Sequence, residues 1–388
     1  MKTAQRVVNL KTSLTRTLFN QAKNYNDVID LTLGDPDLST PEIIKEAAID
    51  SIKNDRTKYS ANAGLLSARQ AIASHVKKVW NINYSPEDNI TLTVGGMEGL
   101  FLSLFSTIDI GDEVIVFAPY YPNYIEMIKS CGGVPVIYDC YDPNSGIKII
   151  KKDLLQKVTS KTTSIIINNP GNPTGAVFDK KDLKVIAEIA EEFDLLIISD
   201  EVYHSLIYDG KTHNSILTII SAQNRTILID SLSKEFCMTG YRIGYACGPA
   251  FIIKKMVNLQ ENIAACAPLP SQYALLRAYS ETPDTNYIIK EFELRRNILF
   301  NELAKCPKIK CILPNSTFYM FVNISATGYD SYTFAEKLLS KKHVAVVPGI
   351  SYGENYDNYI RIAFTKQQSI LKTAATEIVK FIGENNVL

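Results

Sequence analysis

Through the middle of the chain, short apolar runs alternate with longer stretches whose apolar positions recur every three or four residues. The short runs read as strands: "NITLTVGG" (89–96), "DEVIVFAPYY" (112–121), "TTSIIINNP" (162–170), "DLLIISDEVY" (194–203) and "TILIDSLSK" (226–234). Among the longer stretches, "KKDLKVIAEIAEEF" (180–193) sets Leu183, Ile186, Ile189 and Ala190 on one helical face. Near-continuous apolar strands joined through helices predict an α/β fold, a largely parallel sheet covered on both faces. In such sheets ligand-binding residues gather beyond the carboxyl ends of the strands. Every predicted strand here ends in polar, aromatic or glycine residues: Gly95-Gly96, Tyr120-Tyr121, Asn168-Asn169, Asp200-Glu201 and Ser231 to Lys234.

The ends of the chain follow another pattern. Residues 1–45 predict an amphipathic helix, a short strand "VIDLTLG" and a turn "DPDLSTP"; from about 281 onward come a long charged helix, further strands and a final helix. This predicts a large domain over 46–280. Residues 1–45 and 281–388 would together make a smaller α+β domain.

Composition narrows the function. The 388 residues carry 41 Lys+Arg against 41 Asp+Glu, so no basic field draws the chain to nucleic acid or anionic lipid. No apolar run reaches the roughly 18 residues of a membrane helix. Seven cysteines, none in a CxxC pair, point to reduced thiols and a cytoplasmic setting. Four scattered histidines predict no metal centre.

The chemistry concentrates in "SLSKEFCMTGYRIG" (231–244) and the other strand ends. A lone lysine is usually a solvated charge, but Lys234 ends a buried-looking strand beside an apolar patch. Partial desolvation lowers a lysine's proton affinity and makes it a nucleophile toward carbonyl carbon. Asp200 reads either as a helix-capping carboxylate or as an acid at the floor of a site, able to keep a heterocyclic nitrogen protonated. "NNPGNPTG" (168–175) is a plain double turn or a bend that fixes the Asn172 amide. Gly96 and Met97 open a predicted helix and can turn backbone N–H groups toward an anion. Ser231, Ser233 and Arg242 add hydroxyls and a guanidinium suited to phosphate.

Together "SLSKEFCMTGYRIG", "NNPGNPTG", "SDEVY" and "YIRIAF" (359–364) resemble, in order, the landmarks of the class I pyridoxal-phosphate aminotransferases of fold type I. The resemblance spans roughly residues 28–364. It implies pyridoxal 5'-phosphate as cofactor, with Lys234 as the lysine that joins it and shuttles the proton. Asp200 would partner the pyridine nitrogen, and Tyr203 and Asn172 the phenolic oxygen. Tyr121 would stack on the ring. Gly96, Met97, Ser231 and Arg242 would hold the phosphate, joined by Tyr59 from the second subunit of a homodimer with shared active sites. Arg361 would clamp the substrate α-carboxylate, beside Gly34 and Asn172.

Two positions depart from the pattern. Cys237 stands where the family has Ser, Gly or Ala. The aspartate-specific branch uses a second arginine near the end of the large domain, and "QENIAACAPLPSQYALL" (260–276) has none. Tyr121 and Tyr124 offer aromatic walls instead, although Arg16 of the N-terminal arm could enter. The expectation is therefore an aminotransferase moving an amino group from a neutral or aromatic L-amino acid to a 2-oxo acid. The alternative is a β-lyase or other α,β-elimination enzyme of the same fold. A transcription regulator would need a DNA-binding segment ahead of the fold, and an imine-lysine barrel would need eight strand–helix repeats.

Overall fold

The computed structural model describes residues 3, 5–8, 10 and 14–384. Its centre is a seven-stranded sheet. In chain order its strands are β1 (Ile90–Thr93), β2 (Glu113–Ala118), β3 (Val134–Asp139), β4 (Thr162–Asn168), β5 (Leu196–Asp200), β6 (Thr226–Ser231) and β7 (Gly244–Cys247). They lie in the spatial order β1-β7-β6-β5-β4-β2-β3, and β7 alone runs antiparallel to its neighbours. All five predicted strands are present. β3 and β7 were not predicted. β3 is an edge strand opening on exposed Val134 and on Pro135, and β7 is four residues long, so neither carries a long apolar run.

Residues alternate across a strand, which explains why both faces are apolar. Ile165, Ile167 and Ile197 face a layer containing Leu183, Ile186, Ile189 and Ala190 of the predicted helix, observed as Lys180–Glu192. Ile166, Ile198, Ile227 and Ile229 face Leu100 and Leu104 on one helix and Met256 on another. Each such side chain contributes about 1.5–3 kcal/mol when fully buried. The covering therefore fixes the register, and register aligns the chemistry: Asn168 pairs with Asp200, and Asp200 with Ile229.

A second, antiparallel sheet contains β8 (Tyr319–Asn323) and β9 (Tyr359–Ala363), in which Arg361 pairs with Phe321. Three helices matter below: α1 (Glu42–Lys53), α2 (Leu66–Trp80) and α3 (Gly95–Thr107). The predicted boundary at 45/46 falls inside α1, whose Ile44 packs with α2 and the large sheet. The short strand near residue 30 pairs in parallel with Val344–Ala345, which ties the N-terminal segment to the C-terminal part.

Candidate active site

A cavity of about 560 Å³ opens at the carboxyl ends of β4, β5 and β6, between the two sheets. It is lined by Gly34, Gly96, Met97, Tyr121, Asn172, Asp200, Tyr203, Ser231, Lys234, Arg242 and Arg361. Eleven of the twelve residues assigned roles by the resemblance thus line one space, and Ser233, the other phosphate candidate, lines it too. Tyr59 does not: it is 87% exposed on the surface of its own chain.

At one end of the cavity, α3 begins at Gly95, whose φ of +73° is left-handed. A Cβ on Gly95 would lie 2.5 Å from an Arg242 guanidinium nitrogen, so glycine is what lets the arginine close over the helix start. Gly244 has the same function from the other side, since a Cβ there would lie 2.8 Å from the Gly96 nitrogen. Arg242 itself sits at φ +51°, with Nη1 donating to the Thr239 carbonyl at 2.9 Å. The Ser231 hydroxyl accepts from Ser233 N at 3.1 Å and so caps the turn that carries Lys234. Free helix N–H groups, a guanidinium and two hydroxyls form an anion cradle.

On the floor, Asp200 is 5% exposed. Tyr124 donates its hydroxyl to Oδ2 at 2.5 Å, while Oδ1 is buried with no hydrogen-bond partner. Burial raises the Asp200 pKa to about 6, against the opposing pull of Tyr124 and the Val202 N–H. A buried carboxylate oxygen without a protein partner, facing a cavity, suits a ring N–H. Lys234 Nζ donates to the Gly34 carbonyl at 2.8 Å. Burial draws its pKa down to about 8, against the attraction of Asp35 and with help from Arg242 and Arg361. An amine that gives up its proton this easily can act as both nucleophile and base.

The second sheet supplies the opposite wall. Arg361 Nη1 donates to Asn172 Oδ1 at 3.1 Å, Nη2 donates to the Thr32 carbonyl, and Nε is buried without a partner. Its guanidinium lies 4.2 Å from the Tyr319 ring centre. Tyr203 donates to the Tyr319 hydroxyl at 3.2 Å. A Cβ on Gly34 would fall 1.7 Å from that same hydroxyl, so residue 34 must be glycine for the wall to close.

The residues that sequence reading missed are Tyr319, Thr32, Asp35 and Thr239, together with the hydrogen bond from Tyr124 to Asp200. Tyr319 lies within the aromatic run "STFYMF", where nothing distinguishes it from a core residue. Cys237 is accommodated at φ +54° with its carbonyl accepting from Thr40 Oγ1 at 2.9 Å. Burial pushes its thiol up to about 12, so little of it is thiolate at neutral pH. The Arg16 side chain lies outside the described residues.

The model of the family "Aminotransferase class I and II" matches residues 26–378. The chain belongs to that family. It is 37% identical over 381 residues to an aspartate aminotransferase of Pyrococcus horikoshii, covering 97% of this chain and 96% of the relative. It is also 35% identical over 393 residues to aromatic-amino-acid aminotransferase 2 of Thermococcus litoralis, covering the whole of both chains. Among solved structures it superposes on Thermus thermophilus aspartate aminotransferase with maleate, at a TM-score of 0.92, 32% identity and 98% and 99% coverage. The activity is amino-group transfer, the fold is type I and the cofactor is pyridoxal 5'-phosphate. The cavity fits that cofactor: cradle, orphaned carboxylate oxygen and deprotonable lysine are what phosphate, pyridine nitrogen and aldehyde require. The elimination alternative gains nothing from these relatives, which carry aminotransferase names. Among the described residues no helix is long and apolar enough to cross a membrane.

Proposed function

We propose that the enzyme takes neutral or aromatic L-amino acids as donors in preference to aspartate. The observation that carries this is the cation inventory of the cavity: Lys234, Arg242 and Arg361 are its only lysine or arginine residues among those described. Each has an assigned task, so a distal carboxylate would meet no free cation, and Asp35 adds a negative charge to the wall. A buried carboxylate without a partner costs several kcal/mol, roughly. Leu33, Met97, Leu100 and Tyr121 instead supply apolar surface.

When bound, pyridoxal 5'-phosphate offers an aldehyde carbon to the amino group and a ring that draws electrons from the substrate α-carbon. In this reading Arg242, Ser231 and the N–H groups of Gly96 and Met97 hold the phosphate. Asp200 Oδ1 keeps the pyridine nitrogen protonated, and its bond from Tyr124 orients it. Tyr203 and Asn172 address the phenolic oxygen, and Tyr121 covers the ring. Arg361, whose Nε has no hydrogen-bond partner, would grip the α-carboxylate, and Gly34 lets that wall come close. Lys234 Nζ would take the α-proton from the substrate and give it back, serving as base and then as acid. Tyr59, too exposed to serve its own cavity, reaches the phosphate of a second copy, which makes the enzyme a homodimer with shared sites. We place it in the cytoplasm, a setting its free thiols suit. We also place the domain division before Pro41 instead of at residue 45.

The test is kcat/KM for phenylalanine, methionine, alanine and aspartate with 2-oxoglutarate as common acceptor, alongside acceptor-free pyruvate release. Neutral or aromatic donors should lead aspartate by about 1–3 kcal/mol, the range of one pocket contact. Aspartate ahead by a similar margin would show that another cation enters the site.

A further inference from the structure

We propose that His75, His204 and Glu235 form a binding site for one divalent transition-metal ion, zinc fitting best, outside the cofactor cavity. Although scattered in sequence, three of the four histidines converge in the fold: the His75 and His204 rings lie 5.8 Å apart and those of His204 and His213 6.4 Å apart. His213 is already engaged, with Nε2 at 2.6 Å from Glu201. His75, His204 and Glu235 each place one ligand atom so that all three lie within 4.8 Å of one another. None of the three lines the cofactor cavity.

Two observations point to an occupant. The first is a deficit: His75 Nε2 and Glu235 Oε2 are both buried with no hydrogen-bond partner. His75 is only 9% exposed. A ring nitrogen and a carboxylate oxygen without protein partners, on residues whose ligand atoms lie within 4.8 Å of one another, are atoms a cation can bind.

The second is the support behind the ligands. His204 Nδ1 faces the Glu201 carbonyl at 3.2 Å and Asp230 Oδ2 at 3.4 Å. A neutral His204 with its hydrogen on Nδ1 would offer the Nε2 lone pair, and from a protonated ring the ion would have to displace the Nε2 proton. This carboxylate-behind-imidazole arrangement is the usual backing of a metal-bound histidine. Asp230 is itself fixed by the Tyr245 hydroxyl at 2.6 Å and by Ser231 N at 2.7 Å. The His75 ring stacks on Tyr279 at 4.1 Å and meets the edge of Trp80 at 6.2 Å.

Two imidazoles and one carboxylate form a set suited to zinc, with the fourth position left to water. Zinc bonds of about 2.0–2.2 Å need ligand atoms roughly 3.4 Å apart, so the most widely separated of these atoms must draw in by up to about 1.4 Å. The ion would join α2, the segment after β5 that follows Tyr203, and the turn that carries Lys234. It would brace the lysine from behind without touching substrate. The competing arrangement is a metal-free ion pair in which a protonated His204 bridges Asp230 and Glu235.

The experiment uses chelator-treated, dialysed holoenzyme titrated with zinc by calorimetry and with cobalt by visible absorption. One ion should bind per chain and raise Tm. His75→Gln and Glu235→Gln, on separate elements, should each weaken binding about tenfold or more, with metal-free Tm and cofactor absorption close to wild type. If one variant fails to fold, the other decides alone. Cobalt bands should lack thiolate charge transfer, which separates this site from the seven cysteines. No saturable uptake by the wild type, binding indifferent to both substitutions, or a thiolate-bound ion would each overturn the proposal.

Discussion

Replacing Asp200 by asparagine separates what the carboxylate costs the fold from what it contributes to the reaction. The group is buried, and its pKa stands at about 6 in the folded chain against 3.8 for an ordinary aspartate. Between those values the folded state holds more protons than the unfolded one. Relative stability from Asp200 is therefore fully present below 3.8, falls as pH rises through the window, and is lost above about 6. A shift of about two units corresponds to about 3 kcal/mol at 1.36 kcal/mol per unit. Asparagine keeps the shape and an acceptor for Tyr124 but carries no charge. Cofactor-free Asp200→Asn at about pH 8 should thus be more stable than wild type, by about 3 kcal/mol or roughly 4 °C for a chain of this length. With cofactor bound, the same change removes the partner of a buried ring charge, a loss of about 3–5 kcal/mol. If that loss falls on the barrier, turnover drops about 10²- to 10⁴-fold. Calorimetry of both forms at acid and mildly alkaline pH, together with kcat for phenylalanine and 2-oxoglutarate, tests both halves. A cofactor-free variant no more stable than wild type at the higher pH would refute the burial cost. Near-normal turnover with cofactor retained would remove Asp200 from the reaction.

Two further substitutions probe the walls of the site. Tyr124→Phe deletes the 2.5 Å hydrogen bond that lowers the Asp200 pKa, so the acid limb of kcat/KM should move to higher pH. The shift should be about one to two units if the bond contributes the 1.5–3 kcal/mol typical of charged acceptors, and an unmoved limb contradicts the assignment. Gly34→Ala forces a Cβ to within 1.7 Å of the Tyr319 hydroxyl and should raise KM for donor and acceptor alike. Adding Tyr319→Phe should recover part of that loss; a double variant no better than the single one would place the clash elsewhere.

The residues that could be read from sequence share one physical circumstance. Lys234, Asp200, Asn172 and Ser231 each sit where an apolar strand gives way to polar residues. A strand buried on both faces has to end at a place where such groups are useful or solvated. Arg242 and Gly96 could be read because glycine and arginine beside those ends have few other reasons to be there. Tyr319 and Thr32 could not. They arrive from the second sheet and the N-terminal segment, and what makes them functional is the meeting of two units, which no local pattern records. The Tyr124 hydrogen bond was hidden for a similar reason, because a tyrosine on an amphipathic helix looks the same whether its hydroxyl meets water or a carboxylate. β7 was overlooked because its role is steric: Gly244 lets the backbone approach the start of α3, and glycine in a short strand signals weakness before it signals contact.

The histidines, too, are brought together by the meeting of separate elements. A scattered residue type argues against a site only if scattering in sequence means scattering in space, and a sheet with crossover helices breaks that link. β5 and β6 are hydrogen-bonded neighbours. The residues just past their ends, His204 and Glu235, therefore meet although a whole helical connection separates them in the chain. α2 packs across the same region through Ile72, Val76 and Trp80 and brings His75 to the same point. The geometry that assembles the cofactor cavity on one side of the strand ends thus assembles a second polar cluster on the other. Lys234 and Glu235, adjacent in sequence, belong to different sites because consecutive residues in a tight turn point apart. Hence the lysine and the structure behind it are coupled through one peptide bond, and with the ion bound a change at either histidine should be felt first in how firmly that turn is held.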